Sequence, residues 1–307
     1  MMVLEFRHRY QANALATAPR GGVRSPSQRL FGSISRRRFA GGTFALVVVA
    51  SFVLSALPAG AITFGELDGN GHPNVGALIA EWRTPGIKEE LCSGTLIAPK
   101  VFLTAAHCTA FLESLGIPND QAWVSFDEDV DPVTRVTKLI HGTWITNPGF
   151  NQAQSDPGDL AVVLLSKPVK GLSPASLPTA GLLDALAAAG LLKGQKFTAV
   201  GYGTQQPTPG GGPLTFPFDG HRRVAVSEFD ALNAAWLRLS QNSATGDGGT
   251  CFGDSGGPNF LGAGTAETTI IAAITVTGDA VCLATNVDYR LDTAAARAFL
   301  GQFVELP

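Results

Sequence analysis

From residue 75 onward, short apolar runs alternate with clusters of glycine, proline and asparagine. Val75-Gly-Ala-Leu-Ile-Ala, Ser93-Gly-Thr-Leu-Ile-Ala and Val101-Phe-Leu-Thr-Ala-Ala have strand length and are bounded by Pro, Gly or Asn. The pattern recurs at 122–126, 135–141, 160–165, 196–200, 223–228, 269–276 and 286–291. Many short strands joined by such turns predict an all-β barrel or sandwich. Two stretches depart from it. The Ala/Leu-rich 179–192 predicts a helix ended near Lys193-Gly194, and Asp292 opens an alanine-rich stretch that predicts a C-terminal helix stopping before Gly301. The Pro/Gly-rich 205–220 reads as a long exposed loop. No internal repeat is visible.

Composition adds size and compartment. The 307 residues are 45% apolar and 15% charged, with 36 Gly and 19 Pro, enough for a substantial core in a loop-rich chain. Residues 1–61 hold eight arginines, no lysine and one acid, Glu5. Without them, the chain's 22 basic and 25 acidic residues become 14 against 24, a net charge of −10. The body is acidic and carries no basic stripe, which argues against a nucleic-acid partner. Ser35-Arg36-Arg37-Arg38-Phe39 resembles a bacterial twin-arginine export signature. The apolar run 43–57 has the length of a signal core and is short for a membrane span, and Ala59-Gly60-Ala61 supplies an A-x-A cleavage site. The expected organisation is an export signal over 1–61, removed, and one functional domain over 62–307. That leaves a secreted protein with no stable membrane anchor, expected as a monomer. The composition of 1–34 predicts no packed core.

Cysteines occur at 92, 108, 251 and 282 only. An even set in an exported chain suggests two disulfides, with three pairings open; no C-x-x-C or H-x-x-x-H spacing favours zinc. Chemistry concentrates in Cys251-Phe-Gly253-Asp254-Ser255-Gly-Gly-Pro258. A serine hydroxyl needs a neighbouring base and donors for the oxyanion it generates. Glycines beside Ser255 allow close approach of a carbonyl and leave the N–H groups of Gly253 and Ser255 free to donate. A turn without chemistry would read the same way, so the rest of the chain decides. Of the histidines at 72, 107, 141 and 221, His107 lies among small residues at the end of an apolar run. Asp159 heads the apolar 160–165 and is the best candidate to orient it.

Taken together, Thr104-Ala-Ala-His-Cys108, Gly158-Asp-Leu-Ala-Val-Val-Leu and Gly253-Asp-Ser-Gly-Gly-Pro258 resemble the histidine, aspartate and serine motifs of the chymotrypsin/trypsin-like serine proteases, in that family's order. The resemblance spans essentially all of 62–307. It implies two six-stranded antiparallel β-barrels with the active site between them, and a serine endopeptidase acting on proteins or peptides. It implies Ser255 as nucleophile, His107 as base, Asp159 as orienter, and the Gly253 and Ser255 N–H groups as the oxyanion hole. It also implies disulfides Cys92–Cys108 and Cys251–Cys282, and no metal or organic cofactor. In the family a freshly exposed Ile amine pairs with the Asp before the serine, which here matches Ile62 and Asp254. Thr63 and Phe64 depart from the usual opening.

The family's pocket base falls at Gly249, which carries no charge and favours an uncharged P1 side chain, although Asp247 lies close enough in sequence for a loop shift to bring it in. The usual pocket wall is replaced within Thr275-Val276-Thr277-Gly278, where bulkier Val276 and Thr277 are expected to narrow the pocket. Asp127-Glu-Asp129 with Asp131 has the oxygens of a calcium loop, yet a solvated charge run is the simpler reading. An α/β-hydrolase, suggested by Gly253-x-Ser255-x-Gly257, needs a histidine after the serine; the last is His221. A non-catalytic module on the protease fold, or a purely structural secreted protein, would be signalled by lost triad residues, and all three are present.

Overall fold

The structure is a computed structural model that describes residues 62–208 and 212–307. The expected export signal at 1–61 lies outside the described residues. Strands β2 (Val75–Ala80), β3 (Glu89–Ala98), β4 (Val101–Thr104), β5 (Ala122–Ser125), β6 (Ile140–Thr146) and β7 (Ala161–Leu165) close a barrel in the order β2-β3-β4-β7-β6-β5. Strands β8 (Lys196–Gly201), β9 (Arg223–Leu232), β10 (Trp236–Ser240), β11 (Pro258–Leu261), β12 (Ile271–Gly278) and β13 (Thr285–Arg290) close a second, in the order β8-β9-β10-β13-β12-β11. Both are antiparallel, and each follows the same path through its six strands. A two-residue β1 (Glu66–Leu67) adds to the outside of β9.

Each barrel is filled by its own apolar side chains. Leu78, Leu96, Phe102, Leu103, Val124 and Val162 are fully buried in the first, and Phe197, Leu237, Leu239, Ala272 and Ala273 centre the core of the second. Burial of such side chains is the main favourable term for barrels of this size. Polar groups join the barrels. The Arg222 guanidinium, just before β9, donates to the carbonyls of Val75 and Phe126 in the first barrel, to Asp68 and to the Tyr202 hydroxyl. Tyr202 in turn donates to Asp127 O at 2.7 Å.

Several local expectations shift. The run 101–106 is not all strand: the chain leaves β4 after Thr104 and forms α1 (Ala106–Ser114), which buries Cys108, Phe111 and Leu112. The helix expected over 179–192 contracts to α2 (Leu182–Ala188), because Gly181 and Gly190 take left-handed conformations at its two ends. In α3 (Ala294–Leu300) the cap is Thr293, whose hydroxyl accepts from Ala296 N. Asp292 is diverted to Arg290 and to the Leu183 N–H at the start of α2. Strand structure within 135–141 begins only at Ile140, and β10 and β11 were not marked by apolar alternation.

Candidate active site

Three chain segments converge where the barrels meet. His107 stands in the first turn of α1, on the loop that Cys92–Cys108 fastens to β3. Asp159 lies two residues before β7 and is buried. Its turn is held by Asn147, whose amide donates to Gly158 O at 2.9 Å. The Asp159 carboxylate meets His107 twice: Oδ1 accepts the His107 backbone N–H and Oδ2 lies against Nδ1, both at 2.8 Å. Two contacts to one carboxylate fix both the position and the ring orientation of the histidine, and direct Nε2 away from Asp159.

Ser255 comes from the second barrel, in the loop before β11. Ser93 of β3 holds that loop to the first barrel. Its N–H donates to Ser255 O at 2.9 Å and its hydroxyl to Gly253 O at 3.0 Å, while accepting from Tyr202 N. Gly256 has φ +80, and a methyl group there would lie 2.6 Å from Ala105 N and 2.7 Å from Ser93 O. Only glycine allows this approach of the serine loop to the residues just before His107. Gly253, with φ +99, turns the backbone so that its carbonyl faces Ser93. Among the described residues, the N–H groups of Gly253 and Ser255 donate to no backbone carbonyl.

Asp254 points the other way. It is fully buried; Oδ1 accepts from Gly203 N and Oδ2 from Cys251 N, each at 2.8 Å. Burial raises its pKa to about 7, with the two N–H groups offsetting only part of the effect. Ile62 is also fully buried, and the adjoining Thr63 exchanges both backbone hydrogen bonds with Gly249. Glu90 of β3, which the sequence did not single out, lies buried beside Gly253 with Oε1 unpaired; burial and then the nearby Asp254 raise its pKa well above the usual range. Ser93 and Glu90 were illegible because each acts through a partner more than 150 residues away.

Cys92, His107 and Cys108 offer ligand atoms within 4.8 Å of one another, but both sulfurs are committed to the disulfide and hold no metal. Cys251 and Cys282 form the other disulfide. The acidic run is partly occupied by its own loop: Asp127 accepts from Lys138 N and Asp129 from Asp131 N. Gly249, upstream of Ser255, pairs with Thr63, while Thr277 and Gly278 pair with Val287 and Asn286 in the β12–β13 ladder. Val276 is the bulged residue between the Thr275 and Thr277 pairings of β12 with β13. The Gln241 side chain lies where a side chain on Gly249 would extend. Asp247 is engaged elsewhere, with Lys196 Nζ at 2.9 Å and the Thr245 hydroxyl.

The family model described as Trypsin matches residues 73–291. The chain belongs to the trypsin family. This trypsin-family chain is 30% identical over 193 residues to a trypsin of Saccharopolyspora erythraea, covering 61% of the chain and 75% of that protein. It is also 30% identical over 186 residues to vitamin K-dependent protein C of Rattus norvegicus, covering 56% of the chain and 37% of that longer protein. Membership makes it a serine endopeptidase, a hydrolase acting on protein or peptide substrates. Among the described residues, no helix is long and apolar enough to cross a membrane.

Proposed function

We propose that this trypsin-family protease is an exported endopeptidase working through Ser255, His107 and Asp159. The double contact of Asp159 with His107 carries the reading. It holds the ring with Nδ1 towards the carboxylate, which leaves Nε2 to take a proton. Ser255 Oγ attacks the scissile carbonyl carbon as its proton passes to His107 Nε2. The carbonyl oxygen becomes an oxyanion and accepts from the Gly253 and Ser255 N–H groups. The C–N bond then breaks, His107 protonates the leaving amine, and an acyl-Ser255 ester remains. Water, deprotonated by the same histidine, hydrolyses the ester and restores Ser255.

Export would follow from the arginine-rich 1–61, whose removal after Ala61 would create the Ile62 amine. That ammonium would pair with Asp254, whose buried carboxyl accepts from two backbone N–H groups among the described residues. The pair would hold the residue between Gly253 and Ser255 in place, and so the oxyanion donors.

A serine-directed phosphonofluoridate tests the catalytic assignment. It should add its phosphonyl group to Ser255, read by mass spectrometry, and Ser255→Ala should lose both labelling and peptide hydrolysis. Labelling that persists in Ser255→Ala would refute it. The N-terminal sequence of the secreted protein tests the processing, with Ile62 expected first. One residue added before Ile62 should lower kcat/KM sharply, and full activity in that form would exclude the Ile62–Asp254 pair.

A further inference from the structure

The loop 147–160 leaves the first barrel after β6 and returns to it at β7, carrying Asp159 just before that return. Its tip is gripped from the second barrel. Trp236 of β10 donates from its indole Nε1 to Gln154 O at 2.7 Å, and the Tyr289 hydroxyl of β13 donates to Asp156 Oδ1 at 2.6 Å. Trp236 and Tyr289 are directly opposed in the β10–β13 ladder, with their rings edge to face at 5.8 Å. Two neighbouring side chains of one barrel thus hold a loop of the other.

The grip reaches Asp159 through one short turn. The Asp156 oxygen that accepts from Tyr289 also accepts the Gly158 N–H at 3.2 Å. On the other side of the same residue, Asn147 Nδ2 donates to Gly158 O at 2.9 Å. Gly158 has φ +61, and a methyl group there would lie 3.0 Å from Asn147 Nδ2 and 3.2 Å from Gly149 O. The turn before Asp159 is therefore pinned at its N–H through the second barrel and at its carbonyl through the first. Any shift of Gly158 moves the next residue, and with it the carboxylate that meets His107 twice.

The chemistry of the two partners suits a permanent contact. Tyr289 is wholly buried, so its hydroxyl must find an acceptor inside the fold. Burial, and then the Asp156 carboxylate, push its pKa far up, with Thr293 offsetting part of the effect; the hydroxyl stays a donor at neutral pH. Asp156 itself is exposed, and among the described residues Tyr289 is its one side-chain donor. Any backbone carbonyl could satisfy a buried phenol. What Asp156 adds is an oxygen shared with Gly158.

Resting on the Ser255–His107–Asp159 reading above, we propose that Tyr289 and Asp156 are positioning residues of this protease, which set Asp159 from the barrel that carries Ser255. Trp236 steadies the same loop through Gln154. Asp159 belongs to the first barrel by its chain, but its turn takes its reference from the second. The acid that orients His107 and the serine that His107 serves are thereby held to a common frame.

The test measures kcat and KM for one peptide substrate, Ser255 labelling by the phosphonofluoridate, and the His107 Nδ1–H resonance in enzyme labelled with ¹⁵N-histidine. Tyr289→Phe removes one hydroxyl and keeps the ring. It should lower kcat about 10-fold with KM within about twofold, because small displacements of a reacting group are felt in the rate. Asp156→Ala should do the same, and the double variant should be no slower than either single one, since both remove one contact. Asp156→Asn keeps the accepting oxygen and should hold kcat within about threefold of the unaltered enzyme. The resonance should move in Tyr289→Phe and Asp156→Ala and stay in place in Asp156→Asn, whereas a contact that only stabilises the fold would leave it unmoved throughout. If Tyr289→Phe does not fold, the two variants of the exposed Asp156 decide alone. An unchanged kcat in Asp156→Ala, fully additive losses in the double variant, or an unmoved resonance would overturn the proposal; with Ser255 still labelled and Asp159→Asn still slow, the triad would stand. Labelling that persists in Ser255→Ala would overturn the triad and this proposal with it.

Discussion

Asp159 offers both carboxylate oxygens to one residue, and that sets what its loss should do. In Asp159→Asn one position becomes an N–H₂ donor, which cannot accept from both the His107 backbone and Nδ1–H. The ring should then favour the wrong tautomer. We expect kcat to fall by about 10⁴-fold with KM little changed, measured by steady-state hydrolysis at neutral pH. Asp254 makes a different prediction, in pH. Its folded pKa of about 7 exceeds its ordinary value of 3.8, so the folded chain holds this proton more tightly than the unfolded one. Its contribution is therefore full below about pH 4 and is lost as pH rises through about 7, a change on the order of 4 kcal/mol. A chain retaining residues before Ile62 should lose stability across that window in urea titrations, and Asp254→Asn should flatten the slope. A chain beginning at Ile62 should also lack the slope, because its ammonium would stabilise the charged carboxylate. An equal slope in all three would rule out Asp254 as its source.

At the scale of elements, the serine loop depends on the barrel opposite. Gly256 lies against Ala105 and Ser93, and no side chain fits there without moving the loop. Gly256→Ala should shift Ser255 relative to His107 and lower kcat by about 100-fold or more, with a smaller loss of thermal stability. The two disulfides act on their own loops. Cys92–Cys108 closes a separation of 16 residues around His107 and Cys251–Cys282 one of 31 residues that holds Ser255, β11 and β12. By loop-closure entropy they should stabilise the fold by about 3 and about 4 kcal/mol respectively, so replacing the second pair by serine should cost slightly more in urea unfolding.

For the whole molecule, the junction of the barrels matters most, because each barrel alone carries only part of the site. His107 and Asp159 belong to the first, Ser255 and Asp254 to the second. Arg222 is the buried cation of that junction. Asp68, its partner, would be raised by burial, but hydrogen bonds from His72 and Arg222 hold it down at about 2. Arg222→Met should leave Asp68 with His72 alone, take the Arg222 donor from the Phe126 carbonyl and leave the Val75 carbonyl with only the Tyr202 hydroxyl of its two side-chain donors. A loss of about 3 kcal/mol is expected in chemical denaturation, with activity falling as the barrels loosen.

The family was legible in the chain because its motifs are local: a serine in Gly-Asp-Ser-Gly-Gly, a histidine in Thr-Ala-Ala-His-Cys, an acid heading an apolar strand. The strands themselves were mostly visible, since side chains that fill a barrel leave short apolar runs between turns. What surrounds the site was not visible. The common path of the two barrels leaves no sequence repeat, because topology is set by hydrogen-bond pairing, which any strand-forming residues satisfy. His107 stands on a helix instead of a strand end because packing and a disulfide outweighed a short apolar run. Asp292, a cap by sequence, lost that role to a buried arginine. Ser93 and Glu90 gain their meaning from residues distant in sequence. Sequence alone determined the family, since its motifs lie in residue type and near neighbours. Only the tertiary structure decided which buried carboxyls lack a counter-charge, since burial and pairing belong to the folded chain.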